Sequence, residues 1–416
     1  MNRLSAISQQ VAPNATSASN REKLFGKSPD DVVIIAAYRS ALTKGGRGLF
    51  KDTASSDILA GLLAGLLEKT KIDPKILGDV VVGNVLNPGA GANEHRAAAL
   101  LAGIPYSVPF VAINRQCSSG LMAVNDVANK IRAGQIDIGI GAGVESMSTN
   151  FGPKSAAPFS AALLANPEAA KCTIPMGITS ENVATKYDIS REAQDKFAAA
   201  SYVKAAKAQD AGLFEEEIIP ITTTVYDKDE KEHTVVVDKD DGIRRGVTPE
   251  SLGKIRPAFK KDGSTHAGNA SQVSDGAGAV LLARRSVAEK LGLPILAKFV
   301  HCKSVGVPPE IMGVGPAYAI PSVLEDLGLT HEDVDVFEIN EAFASQAIFS
   351  IEHIGIPYEK VNPRGGAIAF GHPLGATGAR QFATLISELK SKGQKVGVTS
   401  MCIGSGMGAA SLIVIE

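Results

Sequence analysis

Three residues of this chain stand where their type and surroundings suit covalent chemistry: Cys117, His372 and Cys402. Cys117 lies in Arg115-Gln116-Cys117-Ser118-Ser119-Gly120, after a short apolar run and before a helical pattern. A cysteine there meets the free N–H groups and the positive end of the helix dipole, which favour a thiolate. A lone cysteine more often serves packing, and what sets Cys117 apart is a counterpart, His372 in Gly371-His372-Pro373-Leu374-Gly375. If the two turns face each other, thiol and imidazole form the nucleophile–base pair of covalent catalysis. The glycines around His372 are otherwise only a tight turn. Cys402 opens Cys402-Ile403-Gly404-Ser405-Gly406-Met407-Gly408, whose glycines also fit a loose dinucleotide fingerprint. Only residues 410–416 follow, too few for the helix and second strand which that reading requires. A glycine-rich turn with free N–H groups suits an oxyanion pocket instead. Asn340, in Asn340-Glu341-Ala342-Phe343, ends a strand pattern and is placed to hold a water or a carbonyl.

The elements that must position these groups are duplicated. Gly103-Ile104-Pro105-Tyr106 recurs as Gly355-Ile356-Pro357-Tyr358. After each copy come a short apolar stretch, a small-residue turn carrying Cys117 or His372, and a helical pattern. Its apolar positions are Leu121, Val124, Val127, Ala128 and Ile131 in one copy, and Phe382, Leu385, Ile386 and Leu389 in the other. Each helix leads into a strand of small residues, at 136–141 and 396–401. Upstream, Asp79-Val-Val-Val-Gly-Asn84 pairs with Asp335-Val-Phe-Glu-Ile-Asn340. Strands alternating with helices predict two α/β halves, 29–149 (with 268–294 returning to it) and 295–416. The stretch 150–267 differs: Pro-rich, one helical pattern, and a charged run at 227–241 that reads as a solvated loop or hairpin. It reads as an inserted loop domain.

Composition narrows the function classes. The formal net charge of −2 gives no basic stripe for nucleic acid, and there is no apolar run of membrane-spanning length. Four widely separated cysteines, with no C-x-x-C pair, argue against a disulfide framework or a metal site and for a reducing compartment. Cys172 and Cys302 match no motif and read as packing residues.

Taken together, residues 114–120, 340–343, 371–378 and 402–408 resemble the four signature blocks of the thiolase family, in family order, within a resemblance covering 30–416. Asn114-Arg-Gln-Cys117, residues 175–182 and residues 268–275 resemble the degradative, peroxisomal 3-ketoacyl-CoA branch most closely. Pro175 stands where the biosynthetic acetoacetyl-CoA enzymes often carry histidine. The resemblance implies the thiolase fold: two duplicated α/β halves, layered αβαβα, with an inserted loop domain. It implies Cys117 as nucleophile, His372 as its base, and Cys402 as the acid/base at the acetyl-CoA carbon. Asn340 would hold a water that, with His372, stabilises the enolate, and the N–H groups of Cys117 and Gly404 would bind the thioester oxygen. For coenzyme A it implies Arg244 and Ser251 at the nucleotide end, Ser271 at the pantetheine arm, and Met176, Phe259 and Phe343 along the pocket. Arg244 and Arg245 read equally as a solvated charged loop.

The expected activity is cleavage of 3-ketoacyl-CoA by CoA, a co-substrate, in fatty-acid β-oxidation, by a homodimer without metal or redox cofactor. The rivals are a biosynthetic acetoacetyl-CoA thiolase, a decarboxylating ketoacyl synthase, and a catalytically idle lipid carrier. Residues 1–28, rich in Ser, Ala and Asn, read as a disordered or targeting extension. Arg3-Leu4 and Gln10-Val11 resemble the amino-terminal peroxisomal signal, which implies an import receptor and the peroxisome matrix; the mitochondrial matrix is the alternative.

Overall fold

The computed structural model describes residues 20–152 and 158–416. Arg3, Leu4, Gln10 and Val11 lie outside the described residues. In chain order, β1 (Val32–Arg39), β2 (Thr43–Lys44), α1 (Ser55–Thr70), β3 (Asp79–Gly83), β4 (Phe110–Ile113), α2 (Ser119–Arg132) and β5 (Ile138–Ser146) open the fold. After α3 (Arg191–Asp210) and the hairpin β6 (Ile221–Tyr226) and β7 (Glu232–Val237) comes β8 (Ser274–Arg284). The second half comprises β9 (Ala297–Gly306), α4 (Gly315–Asp326), β10 (Val336–Ile339), α5 (Ala344–Ile354), α6 (Leu374–Lys392), β11 (Val396–Ile403) and β12 (Met407–Ile415).

One ladder runs β10-β11-β12-β9-β1-β8-β5-β3-β4, with β2 pairing β8. It is two copies of one pattern. β3 and β5 are parallel, with β8 antiparallel to β5 and β1 antiparallel to β8. Likewise β10 and β11 are parallel, β12 is antiparallel to β11, and β9 to β12. Val33–Lys298 and Ile34–Ala297 pair the copies at the β1/β9 seam.

Helices α2 and α6 fill the layer between the halves. Leu121, Val124 and Val127 from α2 and Phe382, Leu385 and Leu389 from α6 share a core with Val81, Val280, Phe299 and Met401. α6 is buried nearly all round, as a central helix must be. Their first turns touch: a Cβ on Gly378 would lie 2.3 Å from the Leu121 nitrogen, and one on Gly120 2.6 Å from the Gly375 oxygen. Outside, α1 and α3 cover the first half through Ile58, Leu62, Ala198 and Tyr202. On the other side α4 and α5 cover the second through Ile320, Val323 and Ile351. The expected layered α/β architecture of two duplicated halves is present.

Two expectations need correction. The sequence match of 79–84 with 335–340 is one residue out of register. Val80 and Val82 face the outer core of the first half, as Phe337 and Ile339 do in the second. Val80 pairs Phe110 where Phe337 bridges Val361, so Val80 corresponds to Phe337 and Asn84 to Glu341. Strand side chains alternate between faces, so a one-residue slip would have buried the wrong set. The second correction concerns 20–28, expected outside the fold. Leu24 is buried in the second half's outer core. Arg21 pairs with Asp335 at 3.0 Å and Lys27 with Glu416 at 2.8 Å.

The stretch between the halves joins existing cores rather than building its own. Tyr202, Phe214, Ile219 and Val237 enter the first half's outer core. Val183 and Ile189 pack with Val314 and Phe349 of the second half. Buried Arg39 at the end of β1 binds Glu217 at 2.6 Å and Asp240 at 2.7 Å, pinning this stretch to the sheet.

Candidate active site

Cys117 and His372 each stand two residues before a central helix, in tight turns held by neighbouring groups. Around Cys117 the serines do this work. The Ser118 hydroxyl donates to the Arg115 carbonyl at 2.9 Å, and that of Ser119 to the Gln116 carbonyl at 2.6 Å. Gln116 is thereby held at φ 49°, in the left-handed region that costs a side chain energy, immediately before Cys117. On the other turn Gly371 has φ 110°, and a Cβ there would lie 2.5 Å from Ser274 Oγ. Only glycine serves there.

His372 is buried and its tautomer is fixed by its partners. Nδ1 lies 2.6 Å from Thr377 Oγ1, whose hydroxyl donates to the Pro373 carbonyl at 3.1 Å. The hydroxyl proton being used, Nδ1–H donates to Thr377 and Nε2 keeps its lone pair. Asn340 Nδ2 approaches that Nε2 at 3.4 Å. Burial, with the charge of Arg380 behind it, pushes the imidazole down to about 3, so His372 is neutral at physiological pH. Asn340 Oδ1 is buried with no hydrogen-bond partner among the described residues, an acceptor open to a ligand.

Cys402 is fully buried near the end of β11, packed with Met312, Ala342 and Phe343. Burial raises its thiol well above the usual range, and the charge of Cys117 adds to this. It holds its proton firmly. Two residues on, the Gly404 N–H acts on the Cys117 thiol and favours its ionised form. The turn there is tight, with Ser405 at φ 62° and Gly406 at φ 92°.

The expectation of a thiolate-favouring turn is corrected at Cys117. Burial pushes its thiol up to about 11, outweighing the hydrogen bonds from the Gly404 and Cys117 N–H groups that pull it down. The helix start is present, but withdrawal from water dominates. Forming a thiolate here would need a nearby base. The hydrogen bonds of His372 run to Thr377 and Asn340 rather than to Cys117. In unliganded sites such catalytic bonds are commonly long.

Of the residues expected to hold coenzyme A, Ser271 and Phe343 border this centre. Ser271 N–H donates to the Ala342 carbonyl at 2.9 Å, and Ala270 bridges Phe343. Phe259 stacks where a Cβ on Gly177 would go, beside Met176, and both side chains are exposed. Ser251 lies further off, in a capping box with Thr248 at the start of the short helix Pro249–Gly253. Arg245 binds Asp210 at 2.5 Å, whereas Arg244 is exposed and its charge acts on Tyr202. Sequence reasoning missed Thr377, Gln116 and Met312. A threonine five residues after His372, in a glycine-rich helix start, was the one available signal.

The residues 32–286 match the model of the thiolase N-terminal domain and 293–415 that of the thiolase C-terminal domain. The peroxisomal 3-ketoacyl-CoA thiolase of Yarrowia lipolytica is 73% identical over the whole of both chains. That of Saccharomyces cerevisiae is 55% identical, covering 100% of this chain and 99% of its own. The crystal structure of the dimeric peroxisomal thiolase of Saccharomyces cerevisiae superimposes with a TM-score of 0.88 at 57% identity, over 95% of this chain and 100% of that one. Bacillus anthracis acetyl-CoA acetyltransferase gives 0.84 at 36% identity, over 93% and 99%. With both domain models matched in order across the described fold, this chain belongs to the thiolase family.

Proposed function

We propose that this enzyme is a degradative 3-ketoacyl-CoA thiolase, with Cys117 as nucleophile. The observation that carries the reading is His372, with Nδ1 on Thr377 and Nε2 beside Asn340, whose Oδ1 is buried and unpartnered among the described residues, on a helix start packed against that of Cys117. The likeness to peroxisomal 3-ketoacyl-CoA thiolases over the whole chain supports the substrate class.

The mechanism balances with these groups alone. His372 Nε2 takes the Cys117 proton, and the thiolate attacks the 3-keto carbon. The C2–C3 bond breaks, leaving the shortened acyl group on Cys117 and an acetyl-CoA enolate. His372 and a water on Asn340 stabilise that enolate, and Cys402 protonates its carbon. A second CoA gives its thiol proton to Cys402 and its thiolate attacks the acyl-cysteine, whose oxygen rests against the N–H groups of Cys117 and Gly404. The bond from the acyl carbon to Cys117 breaks, the shortened acyl-CoA departs, and the Cys117 thiolate takes back the proton held by His372. CoA is consumed as co-substrate, and no net oxidation occurs. Arg244, Ser251, Ser271, Met176, Phe259 and Phe343 are proposed to hold CoA and line its channel.

The functional unit is a homodimer in this reading. Strand β4 ends the sheet, and around it Leu101, Tyr106 and Val111 are exposed, an edge that isolated proteins usually protect. The related yeast thiolase is described as dimeric. Peroxisomal residence follows the relatives and the motif at Arg3, Leu4, Gln10 and Val11, with an import receptor as partner. A fluorescent fusion of residues 1–28 that enters mitochondria or stays cytosolic would refute that part.

The deciding assay is CoA-dependent cleavage of 3-ketohexadecanoyl-CoA beside acetoacetyl-CoA, with Cys117→Ala as blank. Cleavage of the long substrate, lost in Cys117→Ala, is the expected result. Activity confined to acetoacetyl-CoA would overturn the degradative reading in favour of a biosynthetic enzyme, and none on either would favour a carrier.

A further inference from the structure

We propose that Glu145 is a positioning residue that holds the turns of Cys117 and His372 in mutual register, an inference that rests on the thiolase reading above. Glu145 ends β5 but for one residue and is wholly buried, with no ion pair among the described residues. Its carboxylate accepts four hydrogen bonds instead. Oε1 takes the Asn84 side-chain amide at 3.0 Å and the Leu86 N–H at 3.2 Å. Oε2 takes the N–H groups of Val85 and Gly375, each at 3.0 Å.

These four donors belong to the two arms of the active site. Gly375 is the second residue of α6, three after His372, so one bond fixes the start of the base's helix. The other arm runs through Val85. Its carbonyl accepts from the Asn114 side chain at 3.0 Å, and Asn114 Oδ1 accepts from the Gln116 N–H at 2.9 Å. Gln116 is the strained residue that aims Cys117. The first half thus reaches across the central layer to the second through one carboxylate. Close packing makes that reach exact in space, since a Cβ on Gly375 would lie 2.8 Å from both the Asn84 Cα and the Val144 oxygen.

A carboxylate, rather than an amide, is what the donors demand. All four partners are N–H groups, so a glutamine would turn its own NH2 against two of them. The group's charge is costly, since burial pushes it up to about 7 against the pull of its four donors. That charge also opposes ionisation of Cys117.

Glu145→Gln and Asn114→Ala in the full chain test this. Alkylation of Cys117 by iodoacetamide, followed by mass spectrometry across pH, needs no acyl-CoA. It therefore separates failure of this inference from failure of the thiolase reading, which Cys117→Ala and the cleavage assay judge alone. Glu145→Gln should lower kcat about ten- to a hundred-fold, the scale of small misplacements of reacting groups. Its KM for CoA should stay within about three-fold, and its Cys117 alkylation profile should move to lower pH because the opposing charge is gone. Asn114 is exposed, so Asn114→Ala leaves the core intact and cuts only the nucleophile's arm. It should lower kcat and the alkylation rate without moving the profile. An unchanged kcat in Asn114→Ala, or a loss confined to KM, overturns the proposal even if Glu145→Gln fails to fold. An unchanged kcat in folded Glu145→Gln overturns it too.

Discussion

At the scale of single residues the site divides its labour by environment. Cys117 and Cys402 are both thiols whose burial opposes ionisation, yet only Cys117 receives the Gly404 N–H. Because its thiol is raised to about 11, the thiolate fraction of unliganded Cys117 near pH 8 is small, about one in a thousand. Its alkylation rate should therefore keep rising with pH up to about that value. A plateau near neutrality would show that the helix start outweighs burial. His372, pushed down to about 3, gives no acidic limb between pH 5 and 8, since it is already neutral there. The tautomer depends on Thr377, so Thr377→Val leaves a buried N–H without its acceptor, a defect of about 1–3 kcal/mol. That variant should lose about ten-fold or more in kcat while thermal melting shows a folded protein, and Thr377→Ser should recover most of the loss. Equal losses in both variants would mean that the methyl contact, not the hydroxyl, matters.

At the scale of elements, function depends on how closely two helix starts approach. Gly120 and Gly378 allow it, and the clash at Gly378 is with the backbone of Leu121, which cannot swing aside as a side chain does. Gly378→Ala should destabilise by about 1–3 kcal/mol or more and impair cleavage beyond that loss, because the turns of Cys117 and His372 ride on these helices. A variant with unchanged melting temperature and activity would mean that the layer has slack. These elements were largely legible in the sequence. The duplication, the glycines and the small residues around Cys117 and His372 are local facts, and local facts survive in a string of letters. Register did not survive: aspartate and asparagine bracket both 79–84 and 335–340, yet only the buried faces of Val80 and Phe337 say which residues correspond. Glu145 was illegible for a different reason. Its four donors come from segments 60 residues before it and 230 after, and nothing near it in the chain announces them. The thiol of Cys117 was misjudged because the helix start is a sequence feature, whereas burial is made by the whole fold.

At the scale of the whole molecule, the described ends of the chain close on each other. Arg285 donates to the Glu416 carboxylate at 2.9 Å, and Lys27 binds it at 2.8 Å. Leu24 and Arg21 continue the same strap onto the second half. Burying Leu24 contributes about 1.5–3 kcal/mol, while each half-exposed ion pair adds little, about 0–1 kcal/mol. A chain beginning at residue 29 should therefore melt lower than one beginning at residue 20, and Leu24→Ala should account for most of the difference. The same clasp has a pH dependence whose sign is fixed. Burial raises the Glu416 side-chain carboxyl, but hydrogen bonds from Arg285 and Lys27 outweigh it and hold the group down to about 2. An acid depressed in the folded state stabilises fully above its unfolded value, near 4.5, and that contribution disappears as pH falls through the folded value. Glu416→Gln should lower the melting temperature at pH 7 by about 1 °C, with the difference from the parent shrinking between about pH 4.5 and 2. A constant difference across that range would locate the effect in packing around Arg285 rather than in the charge of Glu416, and would leave Leu24 as the strap's principal hold.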